Sequence, residues 1–548
     1  MNKFIFFLII TAFFPIASHG DSLPSLDQFG GYTNLKIAEK STVWSTAKIK
    51  NRWFLVTPEG NAFINLGVYT LGEGAGADTN HKTYFDYWRE KYTWNAEIFC
   101  NVQLKRLRTW GFNSISDYAY AHCKGFDPKV GSKTIFRTPS FPFPINGAEY
   151  SRRNVGELIP GHVKEIIRPC NNNFKFWGAK VVDYFDPRFA QYIEARIKTY
   201  RRVVNSPWCI GVSYDEGDNL YGFGAGDDWG GVTNDHLGLV VLVTPPIQTI
   251  SPDKKWKYQD TETYIKTALK NFLKMRYKTI EKLNAAWNSN YTSFDSNGGW
   301  EKGTGLLDED GRRSHKYWIG RDKTLSDGSA SPALKKDLDD FLYIIADKYF
   351  GTYHKIIKEQ YPDILQTGPT VFGSWGQPPR RQVLQAAGKY LDVVRTNLSE
   401  PDLQKKIDFM VTHLGHEIPM IQWLGVVANN DSALYAYGDA ASKSRTQEER
   451  GQKYEKQLFE TLMTKSNDGS YLFTGIQLWA WTDHWGEKTN WGLVTIKDNA
   501  YDGDEAVKKK KMGRDGFLVG GEDRDYGDFI TPVTKANCKV YKWINERK

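Results

Sequence analysis

The strongest constraint on this chain is an order of elements. From about residue 50 onward, short apolar runs alternate with longer amphipathic stretches. Arg52 to Asn65 reads as a hairpin around the turn Thr57–Gly60, and its second arm, Ala62 to Val68, forms a first buried strand. Further strands are predicted at Phe112–Ser116, Thr134–Phe136, Cys209–Tyr214, Ile364–Gly368, Tyr390–Thr396, Pro419–Gly425 and Thr474–Trp481. Helical patterns separate them, the clearest being Pro187–Val204 and Leu338–Glu359. About eight such units over roughly 450 residues predict an α/β chain folded as a (β/α)8 TIM barrel with long βα-loop insertions. An open doubly wound sheet is the other arrangement of βα units, but no Gly-rich phosphate loop follows the first strand.

The barrel is placed at residues 50–500, with an insertion over about 217–335 that contains one clear helix near Thr261–Asn288. Residues 21–49 form an N-terminal extension and 501–548 a tail packed on the barrel. Lys3 followed by the apolar run Phe4–Ala17, with small residues at Ser18 and Gly20, reads as a signal peptide over residues 1–20. An anchor helix is the competing reading. The expected location is therefore outside the cytoplasm, periplasmic or secreted. Five Cys is an odd number for an exported chain; Cys100 and Cys123 are the nearest pair, and connectivity stays open.

A net charge of +8, dispersed along the chain, is too small to argue for nucleic acid. Mean hydropathy of −0.54 excludes a polytopic membrane protein. Aromatic residues make up 14% of the chain, an excess of flat amphipathic rings that suits stacking on sugars as well as core packing. No Cys/His spacing matches a zinc site, and no cofactor is expected.

Four stretches carry a family resemblance. Trp53–Gly60 (WFLVTPEG) followed by Phe63 and Gly67 is one, and Trp110–Ile115 (WGFNSI) is the second. The third is Asp186-Pro187-Arg188-Phe189; the fourth runs from Arg276-Tyr277 through Ile280, Leu283-Asn284 and Trp287. In this order they resemble clan A glycoside hydrolases, particularly the β-agarase and β-galactosidase branches. That resemblance implies a general acid ending strand four and a carboxylate nucleophile ending strand seven. Around strand four this chain has Tyr214-Asp215-Glu216-Gly217. Strict counting from Gly211 puts Gly217 at the acid position. A one-residue slip makes Glu216 the acid and Asp215 its neighbour in substrate binding, the reading favoured here. Asp215, Glu216 and Asp218 as a merely hydrogen-bonded or cation-binding turn is the alternative.

At strand seven the family position falls on Leu424, which cannot attack an anomeric carbon; Glu417 precedes the strand and should face the opposite end. The second carboxylate is then sought at Glu400 after strand six or Asp483 after strand eight, with Asp117 more remote. A displaced base favours an inverting route, in which it activates water. Trp479 and Trp481 resemble the family's sugar platform, and Trp375 lies in a Gly-flanked loop. Asn113, Asn397 and Gln422 are expected to bind hydroxyls, and His484 and His413 to orient a carboxylate or bind a hydroxyl; Arg395, with Arg380 and Arg381, is expected to bind sulfate or carboxylate.

The expectation is a glycoside hydrolase acting on a galactan of the agar, porphyran or carrageenan class, its partner a polysaccharide or oligosaccharide, sulfated or neutral. A pseudo-glycosidase that binds without cleaving is the alternative. Nothing in the sequence sets an oligomeric state.

Overall fold

The computed structural model describes residues 25–74, 76–127, 131–135, 142–148, 166–167, 180–181, 184–214, 247–250, 256–259, 264–298, 303–308, 331–369, 372, 380–398, 403–426, 444, 446–486, 490–500, 511–512, 518–519 and 526–546. The expected leader, residues 1–20, and Cys170 lie outside them.

Eight parallel strands organise the described residues: β1 (Asn65–Val68), β2 (Ser114–Ile115), β3 (Phe143–Ala148), β4 (Cys209–Tyr214), β5 (Gln366–Gly368), β6 (Val394–Thr396), β7 (Met420–Gly425) and β8 (Phe473–Trp479). They form a five-stranded sheet in the order β6-β7-β8-β1-β2 and a three-stranded sheet in the order β5-β4-β3. Backbone bonds cross both junctions between the sheets. Ile115 N donates to Pro142 O at 3.0 Å, and Asp392 N and Val393 N donate to Gln366 O at 3.0 and 3.3 Å. Every residue of β1 and β4 is buried, as strands covered on both faces require.

Two strand expectations change. The third strand is Phe143–Ala148, while Gly131–Ile135 instead pairs antiparallel with Phe126–Asp127. Pro144 and Gly147 hid it, because both residues are poor strand formers; β3 tolerates them as an edge of its sheet. The arm Ala62–Val68 divides: Asn61–Phe63 joins an antiparallel sheet with Tyr32–Lys36, Arg52–Val56 and Ser45–Ile49, and only Asn65–Val68 enters the parallel one. The turn between Arg52–Val56 and Asn61–Phe63 depends on Gly60 at φ +83°, where a Cβ would lie 1.9 Å from Ala38 O.

The helices start where their side chains can satisfy free backbone N–H groups. Thr83, Asn95, Asp186, Thr279, Ser331 and Thr446 each accept from the first turn, and Pro187 and Pro332 occupy a position that has no N–H to lose. The longest helix, Pro332–Gln360, buries Leu334, Leu338, Phe341, Ile345, Tyr349, Tyr353 and Ile357 on one stripe. Tyr526–Glu546 closes the amino ends of the strands: Tyr541 stacks on Tyr32 at 5.4 Å and donates to Gly30 O at 2.9 Å. Cys100 and Cys123 form a disulfide; Cys209 is buried, its Sγ donating to Gly211 O at 3.5 Å, and Cys538 is half-buried. Among the described residues no helix is long and apolar enough to cross a membrane.

Candidate active site

The carboxyl ends of the parallel strands converge on a buried polar floor. Tyr69 follows β1, Ser116 and Asp117 follow β2, and Ser213, Thr367 and Arg395 come from β4, β5 and β6. The Asp117 carboxylate accepts from Ser213 Oγ at 2.9 Å and pairs with the Arg395 guanidinium. Arg395 also donates to Thr367 Oγ1 at 3.1 Å. Burial pushes the Tyr69 hydroxyl well above its ordinary pKa; the Arg395 charge pulls it back and Asp117 raises it further. Burial alone would lower the pKa of Arg395, but the Asp117 charge and Tyr69 hold it raised. The side chains of this ion pair are at most 2% exposed. Its charges are thus committed to each other.

Above this floor stands a wall of rings. Tyr69 meets Tyr118 at 6.3 Å and Trp479 at 5.6 Å between centroids. Trp423, on β7, meets Trp479 at 6.1 Å and Trp491 at 6.3 Å, and His484 lies edge-on to Trp479 at 4.9 Å. Tyr118, Trp423, Trp479 and Trp491 are half-buried. Partly exposed aromatic surface at the mouth of parallel strands is what a sugar-binding cleft needs. Of this wall, sequence reasoning singled out Trp479 and His484. Tyr118 and Trp423 were findable as aromatic residues at strand ends; Trp491 comes from a later loop and had no such signal.

The other expected residues are distributed unevenly. Glu216, Asp215, Glu400 and Trp375 lie outside the described residues. Asp483 lies just past β8, 1% exposed, its Oδ1 accepting from Gly492 N at 3.1 Å. Asn397 follows β6 and is half-buried; its backbone N donates to Phe372 O at 2.7 Å.

Five of the expected residues have their side chains bonded within the chain. Asn113 precedes β2, at the amino end; its amide accepts from Leu66 N at 2.7 Å and donates to Ile64 O at 2.8 Å, splicing β1 to β2. Gln422 is buried, accepting from Thr396 Oγ1 at 2.7 Å and donating to Leu398 O at 2.5 Å, so it ties β6 to β7. Trp481 is fully buried, stacked on Trp110 at 5.7 Å and donating to Tyr84 OH at 2.7 Å. It is core. Arg395 pairs with the buried Asp117, and Arg380 with the half-buried Asp339 at 3.0 Å.

Leu424 is 4% exposed and lies opposite Leu478 in the β7–β8 register. Glu417 is at the amino end of β7, bonded to Lys48 Nζ at 2.7 Å and Trp53 Nε1 at 3.0 Å. A depression of about 380 Å³ beside Phe29, Arg108, Asn113, Cys538 and Tyr541 is likewise at the amino end, away from the wall. Among the described residues no group of three or more His, Cys, Asp or Glu could hold a metal ion.

No protein-family model matches the chain. The chain is 25% identical over 522 residues, 87% of its length, to β-agarase B of Vibrio sp. (strain JT0107), and covers 49% of that protein. To β-agarase A of the same strain it is 22% identical over 393 residues, 63% of this chain and 33% of the relative. It thus spans about half the length of the first relative and a third of the second. Among solved structures, an exo-β-agarase superposes with a TM-score of 0.63 at 18% identity, covering 96% of this chain and 69% of that one. A second agarase gives 0.60 at 19% identity, covering 95% and 68%. The chain resembles β-agarases in sequence and in fold.

Proposed function

We propose that this chain is an exported glycoside hydrolase that cleaves an agar-type galactan, built on a (β/α)8 barrel in which the two parallel sheets close into one ring. The observation that carries this reading is the half-buried wall of Tyr118, Trp423, Trp479 and Trp491 at the carboxyl ends of the strands. Likeness to proteins named β-agarase supports the substrate class. The internal pairing of Arg395 and Arg380 favours a neutral galactan over a sulfated one.

In this mechanism the sugar stacks on Trp479 and neighbouring rings. Glu216, following β4, protonates the leaving oxygen, and Asp483 or Glu400 activates water on the opposite face. With leucine at position 424, no covalent glycosyl-enzyme forms there, so the first product carries inverted configuration. NMR of products released from neutral and sulfated galactan oligosaccharides tests substrate class and stereochemistry together. Glu216→Gln should lower turnover by orders of magnitude with affinity retained, and Asp483→Asn or Glu400→Gln should do the same for the base. Retention of configuration would overturn the inverting route.

The burial of Leu424 against β8 specifically favours a second reading, a binding protein that no longer cleaves. Tight binding of agar oligosaccharides with no released product would establish it.

A further inference from the structure

Trp94 is 68% exposed, far more than any ring of the wall, and Ile98 one turn into the next helix is 48% exposed. An apolar residue just before a helix N-cap ordinarily packs on the fourth helical residue, here Phe99. Phe99 is instead fully buried against Trp88, Tyr92, Tyr84 and Tyr120. Trp94 therefore does not serve the helix start.

Its orientation is nevertheless fixed. Thr93 and Trp94 both adopt left-handed backbone, at φ +50° and +63°, a conformation that bulky side chains rarely accept. Trp94 N donates to Arg89 O at 2.7 Å, and Asn95 caps the following helix through Glu97 N and Ile98 N. The Arg89 guanidinium lies 4.7 Å from the Trp94 ring centre and 3.5 Å from that of Phe85. One side of the indole is thus backed by a cation that is itself stacked, while most of the ring faces solvent. Phe85 and Trp88 both touch Tyr120, two residues from Tyr118 of the wall. The path from this outer indole thus runs through Arg89 and Phe85 to Tyr120, two residues along the chain from the wall.

We propose that Trp94 is a second sugar-stacking platform, outside the cleft, that holds a neighbouring stretch of a galactan chain. The site is independent of catalysis; its ligand class rests on the galactan reading above. An aromatic face backed by a stacked guanidinium matches the apolar C–H face of a neutral hexose and offers no fork for an anion, since Arg89 lies beneath the ring.

The experiment measures retardation of the native protein in gels carrying dissolved agarose, with turnover of a short soluble agar oligosaccharide in parallel. Trp94→Ala should weaken apparent affinity for the polymer roughly five- to tenfold, the size of one stacking contact, and leave short-substrate turnover unchanged. Trp94→Phe should keep most of the retardation. Equal retardation of Trp94→Ala and the parent chain overturns the platform, as does an equal loss on the short oligosaccharide. A parent chain that self-associates through Trp94, seen as a sedimentation change abolished by Trp94→Ala, also overturns it. If the parent is retarded but nothing is cleaved, hydrolysis fails while the platform stands. If agarose does not retard the parent, the galactan platform is overturned whatever the cleavage assay shows.

Discussion

At the scale of single residues, Asp117 and Arg395 set a sharp expectation. Removing one charge from a buried pair leaves the other without its partner, so Asp117→Asn should cost roughly 3–5 kcal/mol in urea unfolding. Replacing both by apolar residues should cost less than that single change. Trp479 and Trp481 separate in the same way. Trp481→Ala removes a fully buried ring and should cost about 3–5 kcal/mol, whereas Trp479→Ala should change stability little and weaken oligosaccharide binding severalfold in calorimetry. Sequence could not distinguish the two. Alternate residues share a face only while a strand continues, and β8 ends at Trp479. The same limit explains Asn113 and Gln422: their type suits a sugar, but the nearest unsatisfied groups are backbone atoms of adjacent strands. The pairing of Arg395 was not legible because its counter-charge, Asp117, is 278 residues distant in sequence.

At the scale of elements, the motifs that suggested a family prove to be joints. Arg276, Tyr277 and Trp287, spaced along two helices, converge on the single carboxylate of Asp337 in the helix Pro332–Gln360, Tyr277 OH at 2.6 Å and Trp287 Nε1 at 2.7 Å. Asp186 caps its helix at Arg188 N and clasps the Arg188 guanidinium, while Phe189 packs on Tyr184 and Tyr353. Alternation and capping residues made the helices legible because both signals are local. The pairing of elements depends on contacts such as Asp337, which no local pattern announces. The joint also titrates. Burial, then the bond to Asp337, pushes Tyr277 up to about 12, so its neutral form is favoured in the fold. The sign follows: its contribution is complete below the ordinary tyrosine pKa and is lost as pH rises towards 12. Stability should therefore fall across that alkaline interval, and Tyr277→Phe should flatten the fall in denaturant titrations at successive pH values.

At the scale of the whole molecule, the disulfide joins two segments 23 residues apart near the candidate cleft. A loop of that length restrains the unfolded chain by about 3 kcal/mol, so the double variant Cys100→Ser, Cys123→Ser should unfold at correspondingly lower urea. Seven of the eight parallel strands were foreseeable, because burial on both faces leaves a plain apolar signature; β3, with Pro144 and Gly147, was not. Of the residues expected to do the chemistry, Glu216 and Glu400 lie outside the described residues. Loop position answers to distant contacts rather than to periodicity, so residue type nominated them without fixing where they stand. The packing of Tyr541 on Tyr32 and Gly30 has a different consequence. It brings the segments nearest the two ends of the described chain together on the side away from the wall of rings. A circular permutant that links these neighbouring segments through a short spacer, opened in an exposed helix-to-helix turn, would keep every strand beside its present partner. The same side is therefore where the protein can be tethered to a bead or a second module while its ring-lined face stays open to a polymer.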